Sequence, residues 1–329
     1  MTSEIVDNVL HLSTRNGIPG ELRFQLLSDV HLEFGNQPHI ESVAPVLLLC
    51  GDIGYARDDD EGEKLVSFVR SVSKKFELIL YLAGNHEYWG TSFEKGNQWL
   101  AKNLEGSFEN VFLMHRRRLY INNVCVLGAT LWTNTRVRKS HGTFSQLSQS
   151  HRLFWQMSDF DQIEDLRHNH NKKWPDLNDA RKWDCKEQTE LERCINKALF
   201  CYQSWFENDV DWLNEELENA QERNDTILVL THHAPTGKGS VFPGNENSEG
   251  RTHTELLSNL LNPAVRMWAF GHTHWNCEID WGNGALIVSN ALGYPSDADG
   301  RIQSCQDYKA CEFQKVFTVI ADNRKESFF

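Results

Sequence analysis

The chain has 329 residues, of which 40% are apolar and 24% charged, with a formal net charge of −13. That composition supplies ample core for a globular protein, and the length admits one large domain or two average ones. The acidity argues against non-specific binding to nucleic acid or to an anionic membrane surface, both of which need a basic face.

Met1 to Asp7 carry neither a basic nor an apolar run, and no stretch is long and apolar enough to cross a bilayer. The eight cysteines contain no Cys-x-x-Cys pair, which argues against a disulfide framework and against a thiolate zinc site. A soluble protein of the cytoplasm, or of another reducing interior, is the expectation.

Residues 22–28 read as a strand, and Val46 to Cys50 as a continuous apolar strand covered on both faces. A helix follows over Glu63–Phe76, with Leu65, Phe68, Val69 and Val72 on one side. The acidic run Asp58 to Glu61 marks the start of that helix. Leu78 to Ala83 is a second buried strand, and a helix over Phe93–Leu104 leads to short strands at 111–114, 119–121 and 124–128. Asn122-Asn123 suits the hairpin between the last two.

Beyond a polar stretch, strands are expected at 226–230, 267–270, 278–281 and 285–288, with a helix over Glu255–Leu261. Residues 134–224 differ in texture: they hold no buried strand, and an amphipathic helix fits Ala198–Ala220. We read 1–329 as a single domain, with 134–224 a helical insertion that shapes the substrate side. The fold expected is α/β, mixed β-sheets covered by helices.

Five short fragments carry the chemistry. They are Asp29-Val30-His31, Gly51-Asp52, Gly84-Asn85-His86-Glu87, Thr231-His232-His233 and Gly271-His272-Thr273-His274. Asp29, Asp52, Asn85, His232 and His272 each lie at or just past the carboxyl end of a predicted strand, the edge where α/β sheets bind ligands. The donors mix carboxylate, amide and imidazole, which suits manganese, iron, zinc or nickel. Asp52, with two oxygens and a central place in the series, is the natural bridge between two ions. Such a pair, ~3.5–4 Å apart, would bind a hydroxide between them and clamp a phosphoryl group for in-line attack.

In this order the fragments resemble the calcineurin-like metallophosphoesterase superfamily, whose motifs run D-x-H, G-D, G-N-H-[DE], H and G-H-x-H. The resemblance spans roughly residues 22–295, interrupted by the insertion. It implies a four-layer αββα sandwich and a dinuclear centre. Asp29, His31 and His274 would hold the first metal, Asn85, His232 and His272 the second, and Asp52 would bridge them. His86 matches the family's non-ligand histidine, which stabilises phosphoryl oxygens or protonates the leaving alkoxide. His232, first after its strand, fits the ligand position better than His233.

Two departures narrow the reading. Gly51 to Arg57 lacks the Asp-Arg-Gly of the protein Ser/Thr phosphatases. The same stretch is similar to the G-D-x-x-Y of purple acid phosphatases, but those have glycine where His31 stands, so Tyr55 is read as packing or lining the site. The remaining pattern is most like the smaller bacterial-type and cyclic-nucleotide-phosphodiesterase-like members, and segments such as Met157 to Phe160 and Ser289 to Pro295 resemble one subgroup of that superfamily.

The resulting expectation is a phosphodiesterase acting on a small or nucleotide-like phosphoester. The alternatives are a phosphomonoesterase, a nucleotide pyrophosphohydrolase or a non-catalytic scaffold. His233, Trp89, Asn134, Arg136 and Lys238 are candidate substrate contacts. Phe154, Trp155, Trp174 and Trp183 are candidates for stacking on a base or other flat group of the substrate, with packing of the insertion onto the core the favoured role.

Overall fold

A computed structural model describes residues 1–136, 153–154, 156–167, 185–256, 259, 262–295 and 310–321. Two sheets face each other. The smaller contains β3 (Glu21–Leu27), β4 (Val46–Cys50), β5 (Leu78–Leu82), β6 (Val111–Leu113) and β13 (Val316–Ile320), in the order β13-β3-β4-β5-β6. Strands β3 to β6 pair in parallel, and β13 is antiparallel to β3 at the edge.

The larger sheet runs β1-β2-β7-β8-β9-β10-β12-β11. Its strands are β1 (Thr2–Val6), β2 (Val9–Ser13), β7 (Arg117–Ile121), β8 (Val124–Ala129), β9 (Ile227–Thr231), β10 (Val265–Phe270), β11 (Cys277–Asp280) and β12 (Leu286–Ser289). Its centre, β8-β9-β10-β12, is parallel.

Strand periodicity explains the layering. Along β4, Val46, Leu48 and Cys50 point into the space between the sheets, where they meet Val126, Leu228, Leu230 and Ala269 of the larger sheet. Leu47 and Leu49 point the other way, into a cluster with Leu65, Phe68, Val69 and Val72 of helix α1 (Asp60–Ser73). Because both faces are covered, the strand reads as unbroken apolar sequence rather than as an alternation.

The larger sheet is covered in the same way. Its outer face, Leu127, Val229 and Trp268 among others, packs on Leu213, Leu217 and Ala220 of the long helix Cys185–Arg223. The result is helix, sheet, sheet, helix, as the family resemblance implied. Burial of a leucine such as Leu213 contributes about 1.5–3 kcal/mol to this outer layer.

Several boundaries moved, each for a local reason. Helix α1 begins three residues before the expected Glu63, because the Asp59 side chain accepts hydrogen bonds from the Glu61 and Gly62 amides at 3.0 and 3.1 Å. The helix from Phe93 ends its α portion (α2) at Leu100 and continues as a π turn over Ala101–Glu105. The expected helix 198–220 is the inner part of a helix of 39 residues.

Where the helix Glu255–Leu261 was expected to start, the chain leaves a turn over 250–252, and Glu255 and Leu256 are not helical. There Leu256 donates its amide to the Pro235 carbonyl at 2.9 Å, and the helix is not formed at its start. Strands β1, β2 and β13 were not expected. β1 is exposed along its whole length and so has no apolar face to reveal it.

Candidate metal centre

The five fragments converge at the carboxyl ends of β3, β4, β5, β9 and β10. The turns there are unusual: Asp29, His31, Asp52, His272 and His274 all have positive φ, between 50 and 64°. Non-glycine residues avoid this left-handed region, and each costs of the order of 1–2 kcal/mol there. Compensation is local. Asp29 and His31 donate their amides to the Gly51 and Asp52 carbonyls at 2.9 and 3.0 Å, and Gly271 donates to the His232 carbonyl at 2.9 Å. The β3 and β4 loops are thereby laced together, and the β9 loop to that of β10.

Two glycines permit the close approach. A Cβ on Gly84 would lie 2.2 Å from Asp52 Oδ1 and 2.6 Å from His232 Cε1. Gly51, at φ +85°, leaves room for His232 Nδ1, which a Cβ would meet at 2.4 Å.

Among the described residues, three groups of side chains bring potential ligand atoms within 4.8 Å of one another: Asp29, His31 and His274; His31, Asp52 and His86; and Asp52, His232 and His272. Asp52 belongs to two of them, with Oδ2 3.9 Å from His31 Nε2 and Oδ1 3.3 Å from His232 Nε2. Asp29 Oδ1 lies 3.4 Å from His274 Nε2, and both Asp29 oxygens accept the His272 amide. Asn85 Oδ1 sits 3.0 Å from His232 Nε2. All of these residues are buried or nearly so, with Asp29, His31 and His232 at 0% exposure.

Tautomers show what the centre is built to hold. His232 Nδ1 faces the Cys50 carbonyl at 2.9 Å, which can only accept, so Nδ1 carries a proton and Nε2 is the nitrogen turned to the centre. Nε2 lies beside two oxygens, Asn85 Oδ1 at 3.0 Å and Asp52 Oδ1 at 3.3 Å. Likewise His31 Nδ1 donates to the Glu33 carboxylate at 3.0 Å, which leaves its Nε2 facing His274 Nε2 at 3.1 Å. Oxygens and imidazole nitrogens gathered this closely call for positive charge among them, supplied by protons or by a cation. Two ligands at ~2.1 Å from one ion and at right angles to each other are ~3 Å apart. The donor set therefore fits divalent metals.

The electrostatics show the same demand for positive charge. Burial would lower His232, but Asp52 and then Asp29 draw positive charge to it and raise it to about 9. Burial, reinforced by the charge on His232, pushes its neighbour His272 down to about 3. Burial works to raise Asp52, yet the surrounding histidines, His232 first, hold it well below the ordinary carboxylate range.

His86 stands beside this array. Its Nδ1 donates to Glu33 Oε1 at 2.8 Å, its amide donates to Asp52 Oδ1 at 2.9 Å, and its Nε2 lies 3.8 Å from Asp52 Oδ2. Burial would lower its pKa, but Asp52 and Glu33 more than offset this and raise it. The Trp89 indole stacks on the imidazole with centroids 3.5 Å apart, and the Tyr294 hydroxyl lies 3.3 Å from Nε2.

The other candidates are placed as follows. His233 is fully buried, its ring 4.1 Å from that of His272, and neither of its nitrogens has a hydrogen-bond partner in the protein. Asn134 accepts from the Arg136 amide, and the Arg136 guanidinium pairs with Glu207 at 2.7 Å. Lys238 is exposed, 5.4 Å from the Trp281 ring centroid. Tyr55 carries the Arg57 guanidinium 4.4 Å above its ring, and burial pushes its hydroxyl up to about 12. Phe154 packs on Phe160 at 4.8 Å. Trp155, Trp174 and Trp183 lie outside the described residues.

Three residues escaped sequence reasoning. Glu33 bridges His31 and His86 from two residues beyond the first fragment. Glu87 accepts from the amides of Asp52, Ile53 and Gly84 and from the Tyr81 hydroxyl, tying two motif loops together. Burial and then Asp52 push its carboxyl up to about 7. Asp159, from the insertion, holds Asn85 and Trp89. For Glu87 the signal was present, an acidic residue after Asn-His. For Asp159 the signal was the family resemblance of Met157 to Phe160, which named no role for it.

A four-layer αββα sandwich with a histidine and carboxylate centre at the strand ends defines a metal-dependent phosphoester hydrolase. The chain belongs to the calcineurin-like phosphoesterase family, whose model matches residues 22–276. An uncharacterized protein of Acanthamoeba polyphaga mimivirus is 26% identical over 261 residues, covering 75% of this chain and 78% of its own. The phosphopantetheinyl hydrolase of Mycobacterium tuberculosis shares the fold, with a TM-score of 0.60 at 13% identity over 94% of this chain and all of that one. A dimetal phosphatase from Danio rerio matches with a TM-score of 0.42 and 16% identity, over 81% of this chain and 86% of its own.

Proposed function

We propose that this hydrolase is a phosphodiesterase acting on a small or nucleotide-like substrate at a dinuclear centre. Asp29, His31 and His274 would hold one ion, Asn85, His232 and His272 the other, and Asp52 both. When bound, the ions would lower the pKa of water and neutralise phosphoryl charge. His86, held by Glu33 through Nδ1, presents Nε2 toward the centre, where it would hold the proton that the leaving oxygen takes up.

The observation that carries the diester reading is the make-up of the His86 side. Aromatic rings flank it: Trp89 in contact, Tyr294 and Tyr55 at 6.2 and 6.4 Å between centroids, and Phe34 at 6.4 Å and half exposed. Among the described residues on this side, the cation Arg57 pairs with Asp59 and lies over Tyr55. A monoester dianion calls for free cations there, whereas a diester carries one charge less and a second substituent for the rings to cover.

The test compares kcat/KM for bis(p-nitrophenyl) phosphate and p-nitrophenyl phosphate with manganese present. A strong preference for the monoester would reject the diesterase reading. His86→Ala should lower kcat by about 10²–10⁴-fold with metal content unchanged. Loss of metal in that variant would make His86 a ligand instead.

The same reading keeps 1–329 as one domain, with 134–224 shaping the substrate side. It places the protein in the cell interior, supported by the free thiols of Cys50, Cys125 and Cys277. No helix among the described residues is long and apolar enough to cross a membrane.

A further inference from the structure

Asparagine is an ambiguous ligand. Its two ends have nearly the same shape, and only the oxygen can face a cation. Something outside the centre must decide which end turns inward. Here Asn85 Nδ2 donates to Asp159 Oδ1 at 2.7 Å, which turns Asn85 Oδ1 toward His232 Nε2. A carboxylate can only accept in this bond, so the reverse orientation would set an oxygen against an oxygen.

The same Asp159 Oδ1 also accepts the indole N–H of Trp89 at 2.9 Å. That indole is the one stacked on His86. One buried oxygen, 74 residues from Asn85 in sequence, thus sets two groups, the amide beside His232 and the indole stacked on His86.

The segment carrying it is well anchored. Gly90 donates its amide to the Gln162 carbonyl and Glu164 donates to Thr91, both at 2.9 Å, and Phe93 donates to Asp165 Oδ2 at 2.7 Å. Phe160 and Ile163 are fully buried in the same core cluster as Trp132 and Tyr202.

We propose that Asp159 is a positioning residue through which the insertion completes the metal centre, fixing the amide of Asn85 and the indole of Trp89. The inference rests on the dinuclear reading above. It predicts that removing this one carboxylate weakens one metal site and leaves the other intact.

The experiment is manganese binding to the full chain by titration calorimetry and elemental analysis, with electron paramagnetic resonance to separate coupled from isolated ions. Wild type should bind two ions. Asp159→Ala should keep the first near wild-type affinity, lose about 10–100-fold at the second, and show the isolated-ion spectrum. Its kcat should fall by a similar factor with KM little changed. Ile163→Ala, which removes packing from the same segment without touching Asp159, should keep both ions.

A second arm does not depend on the folding of the alanine variant. Asn85→Asp alone sets two carboxylates against each other and should lose the second ion, and adding Asp159→Asn should restore it at least tenfold. Two tightly bound ions in Asp159→Ala, equal metal loss in Ile163→Ala, or no rescue in the double variant would each overturn the role of Asp159. Failure of the wild type to bind manganese would instead overturn the dinuclear reading itself.

Discussion

Glu33 is the residue whose removal tests the site most sharply, because one of its oxygens serves two histidines. Oε1 accepts from His31 Nδ1 at 3.0 Å and from His86 Nδ1 at 2.8 Å, in a side chain that is almost wholly buried. Burial works to raise its pKa, but these two bonds win and hold it below the usual carboxylate value. Glu33→Gln keeps an acceptor in place and loses the charge. A charge-assisted bond contributes about 1.5–3 kcal/mol against about 0.5–1.5 for a neutral one, a difference of about 1 kcal/mol per bond. For the pair this is about 2 kcal/mol, or about thirty-fold in rate if felt fully in the transition state. Glu33→Ala frees both rings and should cost about 10²-fold. The assay is kcat and KM on bis(p-nitrophenyl) phosphate with manganese, alongside metal content. A Glu33→Ala enzyme within threefold of wild type, with both ions bound, would mean that Glu33 does not hold His31 and His86 for the reaction.

Two further outcomes follow from the same geometry. Gly84→Ala puts a methyl 2.2 Å from Asp52 Oδ1 and 2.7 Å from the Asp52 amide, so the loop must shift; metal content should fall and stability drop by about 1–3 kcal/mol, and undiminished metal content on elemental analysis would count against it. Asp209 is pushed up to about 7 by burial, only partly offset by Arg116 at 3.6 Å and the Leu131 amide at 2.9 Å. A folded-state pKa above the unfolded value means that its contribution is complete in acid and is lost as pH rises toward 7. Stability should therefore fall by up to about 1.4 kcal/mol per pH unit over that window. Asp209→Asn keeps an acceptor for Leu131 and should flatten this slope in urea denaturation; an unchanged slope would show that Asp209 is ionised throughout.

The five fragments were legible because a metal centre demands particular donors, and because strand ends are where an α/β fold collects them. Val46 to Cys50 and Leu78 to Leu82 announced themselves as strands because they are covered on both faces. β1 did not, since its exposed residues carry no apolar pattern. β13 did not either, and its partner β3 begins at Glu21, almost the whole chain away.

Sequence by itself determined the donor types, their order and the apolar strands behind them. These are properties of short stretches, set by local chemistry and by a period of two residues. Tertiary structure alone decided which neighbours turn those donors inward. His232, rather than His233, has its Nε2 beside Asp52 and Asn85 because the Cys50 carbonyl takes its other nitrogen. Glu33 and Asp159 act on partners brought near only by packing, and no spacing in the chain encodes a contact between segments that meet once the sheets have closed.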